Sequence, residues 1–321
     1  MMKISCRASL GFDLMDLAAF NPDQDAVLYT DSRLKPLVEA SFSKVVCDAI
    51  PQELIAARKP LTQEQMQAWN PDAVSLKDYA EQNGRSALGQ EVYLKAPEEL
   101  VQAYGAQISA LCTPAFEGEQ VYVIAVNYAK QTTDQGANEG LSDEERRQLA
   151  RRQSMSLDSI VAGVKQAEDQ LPNTRFVLIN TQYTAPNINA AEEIERVKAQ
   201  TGRDVVNLVY PDSDDRAGQP VDQSNDFLHQ AAIYRAVAAL GGSKIGTADT
   251  SHHLAMSQLT PQLALVNVPV DETKRGQSVW PTFANENFPT VEVYEQQVPG
   301  DWSGAPAAIA SYLVRRYTAN R

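Results

Sequence analysis

Between Lys244 and Pro269 the chain reads KIGTADTSHHLAMSQLTPQLALVNVP, and this stretch gathers more residues able to do chemistry than any other. A strand-like run delivers Thr247, Ala248, Asp249, Thr250 and Ser251 to the start of an expected helix. A helix N-terminus offers unpaired backbone N–H groups and the positive end of the peptide dipole, so a small, hydroxyl-rich loop there can hold a diphosphate. Thr250 and Ser251 add hydroxyl donors. His252 and His253, two of the three histidines in the chain, are expected to open the helix. The same dipole disfavours an imidazolium at that end, so a neutral ring is expected. His253 could donate to a phosphate or sugar hydroxyl; the plainer alternative has one histidine packed and the other capping or solvated. Two adjacent histidines do not by themselves make a metal site, and none is expected.

The elements that must position this loop alternate. Lys3 to Arg7, Ala26 to Thr30 and Lys44 to Asp48 read as strands, with a helix running to Phe20 and another over Leu34 to Ala40. Residues 51–107 are polar and punctuated by Pro60, Pro71 and Pro97, and are expected to form helices and loops. The segment TPAFEGEQ, residues 113–120, combines Pro, Gly and charge just ahead of a strong strand, Val121 to Tyr128. That composition marks a boundary between a lobe of residues 1–117 and a lobe of residues 118–321. Downstream the spacing predicts helix 154–170, strand 175–180, helix 190–201, strand 205–210, helix 227–240, strand 243–247, helix 253–258, strand 262–268 and a terminal helix with Ile309, Leu313 and Val314 on its apolar side. Strands separated by crossover helices form parallel sheets. The expected class is therefore α/β, with two Rossmann-like doubly wound lobes. The charged stretch 136–155 reads as a solvated helix, with a mobile lid as the alternative.

Bulk composition narrows the function. At 321 residues two domains are favoured over one. Twenty-eight basic against 41 acidic residues leave a net charge of −13, which repels nucleic acid and anionic lipid. Cys6, Cys47 and Cys112 are odd in number, widely spaced and near apolar runs, so buried thiols are expected in place of disulfides or a zinc site. No stretch approaches the length of a membrane span, and a cytoplasmic protein without a transmembrane segment is expected. No Gly-x-Gly-x-x-Gly follows the first strand, and there is no Walker motif or nucleophile elbow.

Here the sequence resembles a family. Ala248-Asp249-Thr250-Ser251-His252-His253-Leu254-Ala255, followed by Pro261 and a strand, resembles the Asp-Thr-Gly-Pro-x-His-Leu-Ala signature of bacterial heptosyltransferase-like enzymes, glycosyltransferase family nine. His253, Leu254, Ala255 and Pro261 match that pattern. Leu10-Gly11-Phe12-Asp13 resembles the family's opening Gly-Leu-Gly-Asp turn with one residue inserted. The resemblance implies a GT-B fold facing a cleft, with acceptor on the first lobe and nucleotide-diphosphate sugar on the second. It also implies inverting displacement without a metal or other cofactor. The acceptor would be a glycan, a lipid-linked glycan or a protein, met in the cytoplasm or peripherally at the inner membrane. A displacement of this kind needs a base on the acceptor hydroxyl and stabilisation of the departing diphosphate. Asp13 is the candidate base, with helix capping as its plainer role. Thr247, Asp249, Thr250, Ser251 and His253 would hold the diphosphate, Lys130 would pair with it as a point charge, and Tyr210 would hold base and ribose.

Other readings remain open at this level. The loop Asp215-Arg216-Ala217-Gly218-Gln219-Pro220 resembles bacterial GDP-fucose-dependent fucosyltransferases, although Val126 to Lys130 stands where those enzymes carry a His-Val-Arg-Arg strand end. Arg216 is flanked by Asp212, Asp214 and Asp215, so an ion pair within the loop would occupy it equally well. The absent Gly-Pro and the inserted Phe12 suit a catalytically silent binding or assembly protein. An epimerase would instead need paired acids or bases on one sugar carbon.

Overall fold

The computed structural model describes residues 2–5, 26–30, 37, 46–49, 74–75, 94–128, 155–181, 190–208, 223–248, 250–267 and 290–318; of these, 2–5, 26–30, 46–49, 74–75, 190, 223–227 and 250 are described by their backbone alone. Two parallel sheets carry the fold. The first is built from β1 (Met2–Ser5), β2 (Ala26–Thr30), β3 (Val46–Ala49) and β4 (Val74–Ser75), in the order β3-β2-β1-β4. Every pair in it is parallel, with Met2 opposite Ala26, Val27 opposite Val46 and Ile4 opposite Val74. Strand β4 falls where helices and loops were expected. Two residues leave no periodicity to detect, and pairing with β1 alone makes them a strand.

The second sheet follows α1 (Glu98–Leu111) and is laid down as β5 (Gln120–Asn127), α2 (Leu157–Gln170), β6 (Thr174–Asn180), α3 (Ala190–Thr201), β7 (Val205–Asn207), α4 (Gln223–Ala239), β8 (Ser243–Thr247), α5 (Thr250–Ser257), β9 (Gln262–Val266), β10 (Val291–Glu295) and α6 (Ala305–Thr318). Its order is β10-β9-β8-β5-β6-β7, parallel throughout. Both faces of the central strands are covered: all five residues of β8 and of β9 are buried, and β9 reads as an apolar run after Gln262. Strand β10 was not expected from the sequence. In it Val291 is buried and Glu292 exposed, so the alternating strand presents an acid to solvent at the edge of the sheet.

The chain groups into two compact units. One comprises Met1–Tyr104, Tyr210–Ala236 and Thr250–Leu259, the other Gly105–Val209, Val237–Asp249 and Thr260–Arg321. In the second unit a single core joins the sheet to α2 and α6. Helix α2 buries Leu157, Ile160, Val161, Gly163, Val164 and Ala167, the three-and-four spacing of an apolar stripe. It begins at Leu157 and not at Ser154, because the Ser156 hydroxyl accepts the Ser159 N–H at 3.3 Å and caps the helix there. Helix α6, which the sequence left free to dock on either lobe, packs on α2 through Ile309 and Leu313, both fully buried. The two backbones approach at Gly163, where a Cβ would stand 2.7 Å from the Ile309 Cβ and 2.8 Å from the Pro306 carbonyl oxygen. Only glycine fits that crossing.

Arg203 and Glu168 close the far end of α2. Arg203 reaches both carboxylate oxygens of Glu168, at 2.6 and 2.8 Å, and the Phe176 carbonyl, while Glu168 accepts the Phe176 N–H at 2.8 Å. In the first unit the Tyr104 hydroxyl hydrogen-bonds Nδ1 of His229 at 2.8 Å. Burial pushes Tyr104 up to about 12, so the phenol stays protonated. Cys112 is half-buried and free, not enclosed as expected, although burial still raises its thiol despite the opposing Arg175 charge. Among the described residues no helix is long and apolar enough to cross a membrane.

Candidate functional site

The order of the second sheet identifies where a ligand would sit. From β5 the chain steps outward to β6 and β7, then returns and steps the other way through β8, β9 and β10. The direction reverses between β5 and β8. In open α/β sheets the crevice outside the carboxyl ends of two such strands is the usual ligand site, because the flanking helices leave on opposite faces and part there. Strand β5 ends on Asn127 and β8 on Thr247.

Polar side chains concentrate along that edge. Asn127 is 1% exposed, Asn180 0%, Thr181 2% and Thr247 2%. The Asn127 amide donates to the Thr247 carbonyl at 3.0 Å, so the ends of the two switch-point strands are bridged by one side chain. Thr181 donates its N–H to the Val126 carbonyl at 3.1 Å and its hydroxyl to the same oxygen at 3.3 Å. Asn180 donates to Oδ1 of Asn207 at 2.9 Å, which joins the ends of β6 and β7. The Ala248 N–H still pairs with the Leu265 carbonyl at 2.9 Å, so β8 keeps its neighbour one residue beyond its end. The Thr247 hydroxyl is buried and has no hydrogen-bond partner among the described residues. A buried orphan hydroxyl costs about 1–3 kcal/mol, and such groups are concentrated where a ligand completes the bonding.

The sequence missed Lys244. A lysine on a strand reads as a solvent-facing residue, yet this one is 0% exposed, and its ammonium donates to Oδ1 of Asn127 at 2.6 Å. Side chains alternate along a strand, so Lys244 and Gly246 face one side of the sheet and Ile245 and Thr247 the other. Gly246 is opposite Asn127, and a Cβ there would lie 2.0 Å from Oδ1. The missing side chain at 246 makes the room that the Asn127 amide occupies. The signal available in the sequence was Lys-Ile-Gly-Thr itself: a charge and a glycine two apart inside a short apolar strand.

Helix α5 opens at Thr250, three residues earlier than expected. Thr250 and Ser251 therefore sit in its first turn and not in a loop. The histidines occupy its third and fourth positions and are buried, His252 at 0% and His253 at 7%. Burial lowers the His253 pKa to about 3, so its ring is neutral at ordinary pH, as the dipole argument expects. Ser251 is half-buried, and of Thr250 only the backbone is described. Asp13, Lys130, Tyr210 and Asp249 lie outside the described residues, as do Arg216 with its acidic neighbours and nearly all of the charged stretch 136–155. Beside the site, burial and the Glu193 carboxylate hold the Tyr128 phenol well above its ordinary range. No group of His, Cys, Asp and Glu among the described residues is arranged to hold a metal ion.

No family model matches the chain, and neither does any curated protein sequence. Solved structures do match. The glycosyl transferase family 9 protein from Veillonella parvula DSM 2008 superposes with a TM-score of 0.56 at 11% identity, over 99% of this chain and 96% of that one. The E. coli ADP-heptose lps heptosyltransferase II gives 0.52 at 12% identity, over 100% and 99%. At such identities the likeness shows the fold: the parallel α/β class expected from the sequence, shared along the whole length with glycosyltransferase structures.

Proposed function

We propose that this chain is an enzyme, an inverting and metal-independent glycosyltransferase that moves a sugar from a nucleotide-diphosphate donor to an acceptor hydroxyl. The observation that carries the reading is the switch point of the second sheet. There one side chain bridges the ends of β5 and β8, the Thr247 hydroxyl is buried with no hydrogen-bond partner among the described residues, and α5 opens three residues later in the sequence. Helix N-termini stabilise anions through their free N–H groups and dipole. The fold shared with glycosyltransferase structures supports the same class, while fold alone assigns no chemistry.

On this reading the acceptor oxygen attacks the anomeric carbon from the side opposite the diphosphate. A new C–O bond forms as the bond to the phosphate oxygen breaks, and the acceptor proton passes to the Asp13 carboxylate. Thr247, Asp249, Thr250, Ser251 and His253 hold the departing diphosphate. The neutral His253 ring serves as an N–H donor and not as a cation. Lys130 supplies the positive charge and Tyr210 meets the nucleoside. The acceptor would be a glycan, free or lipid-linked, or a protein, and the work would be done in the cytoplasm or at the inner-membrane surface.

The test is a thermal-shift screen of the full chain with ADP, UDP, GDP, CMP, their sugar conjugates and NAD, with and without EDTA. A ligand at a hundred times its Kd stabilises by roughly 2.7 kcal/mol, a shift of several degrees. One nucleoside diphosphate raising the melting temperature regardless of EDTA supports the proposal and names the donor base. No shift from any nucleotide sinks it.

A further inference from the structure

Three side chains close the strand ends on the β6–β7 side of the switch point, and all are uncharged: Asn180 ends β6, Thr181 follows it and Asn207 ends β7. In sheets of this strand order a nucleotide lies across the strand ends, with its phosphates at the switch point and its ribose met from the end of the next strand outward. The base, which carries no charge, then falls beside the strand after that, here β7. Asn180 and Asn207 stand opposite one another in the parallel register. Asn180 is fully buried; its amide nitrogen donates to Oδ1 of Asn207 at 2.9 Å, and its backbone carbonyl accepts the Leu208 N–H at 3.3 Å. Asn207 is exposed, and its own amide nitrogen has no hydrogen-bond partner among the described residues. An unrestrained asparagine can turn either its oxygen or its nitrogen to a ligand. With the oxygen held by a buried neighbour, Asn207 turns its two N–H donors outward.

We propose that Asn207 is a specificity-determining residue that reads the base of the donor through these N–H groups, and that the donor therefore carries uracil or guanine in preference to adenine or cytosine. The inference rests on the proposed nucleotide-sugar site and adds which bases that site takes. Uracil O4 and guanine O6 are acceptors and complete the bond. Adenine and cytosine carry an amino group at the corresponding place, which would set donor against donor. A polar group built to pair with one partner discriminates strongly against an analogue that leaves it unpaired. Asn180, among its other bonds, is the positioning residue that keeps the Asn207 oxygen turned away from the base.

The experiment measures the affinities of the full chain for UDP, GDP, ADP and CDP by calorimetry, in wild type, Asn207→Ala, Asn207→Asp and Asn180→Ala, with melting temperature recorded alongside. Wild type is expected to bind UDP or GDP about tenfold or more tightly than ADP and CDP. Asn207→Ala should bring the four within about threefold of one another. Asn207→Asp keeps an oxygen for Asn180 and puts an acceptor where the N–H donors were, so ADP and CDP should gain on UDP and GDP. Both substitutions fall on an exposed strand end and should melt within a few degrees of wild type. Asn180→Ala frees the Asn207 amide and should narrow the same ratio, which a general loss of packing would leave unchanged; the Asn207 variants carry the test if it does not fold. A wild type that prefers ADP or CDP, or a preference that both Asn207 substitutions leave untouched, overturns the inference while the donor site stands. A wild type that binds none of the four nucleotides overturns both.

Discussion

Arg203 holds Glu168 by both carboxylate oxygens, at 2.6 and 2.8 Å, with the two side chains only 22% and 19% exposed. Glu168 in turn accepts the Phe176 N–H, so one acid ties the end of α2, the start of β6 and the turn after α3. Breaking such a half-buried pair from one side leaves a charged fork without its acid. Glu168→Gln is expected to lower stability by about 2–3 kcal/mol, read as a lower urea midpoint at unchanged m-value. The exposed pair Arg315–Glu292, at 61% and 45% exposure, is a control: Glu292→Gln should leave the midpoint where it was.

The crossing of α2 and α6 makes a steric prediction. Gly163→Ala places a methyl 2.7 Å from the Ile309 Cβ, and neither helix backbone can yield cheaply. The expected cost is about 1–3 kcal/mol. A thermal melt of the variant beside wild type checks it.

His253 makes stability depend on pH. Its pKa is lowered by burial from 6.5 to about 3, so between those values the unfolded chain binds a proton that the folded chain refuses. Stability from this group is complete above about pH 6.5 and declines as pH falls toward 3, by up to about 4–5 kcal/mol at the limit. Urea midpoints measured from pH 7.5 down to pH 4.5 should fall, and His253→Asn should flatten the decline. A midpoint that rises on acidification would contradict the burial.

Thr247→Val keeps the shape of the side chain and removes a hydroxyl that has no partner among the described residues. Melting temperature should hold or rise slightly, because an unsatisfied buried group is lost. Diphosphate affinity should fall about tenfold, because on the proposed function that hydroxyl is a ligand donor. Calorimetry and a thermal melt on one preparation read both effects.

Asp13→Asn separates binding from chemistry. On the proposed function the nucleotide is held by the second sheet and the base is Asp13, so diphosphate affinity should be unchanged. Transfer should drop by about 10²–10⁴ in kcat, the usual share of a general base. Equal loss of binding and turnover would remove Asp13 from the base role.

Much of this was written in local sequence. Strands Ala26–Thr30 and Ser243–Thr247 and helix Ala190–Thr201 begin and end where the sequence places them, because apolar runs and helical spacing are properties of neighbouring residues. The parallel sheets followed from the same alternation, whereas α5 opens three residues before the start that the sequence suggests, and burial keeps the His253 ring neutral where the sequence offered only the helix dipole. Tertiary structure decided the rest. Val74–Ser75 is a strand only because Ile4 and Ser5 lie beside it. Strand β5 borders β8 through a register 119 positions apart in sequence, as at Ile124 and Ser243, and that pairing alone makes the end of β8 a switch point. Lys244 is buried for the same reason: Asn127 accepts its ammonium over a glycine on the same face, and no local pattern reports a neighbour that the chain reaches after more than a hundred residues.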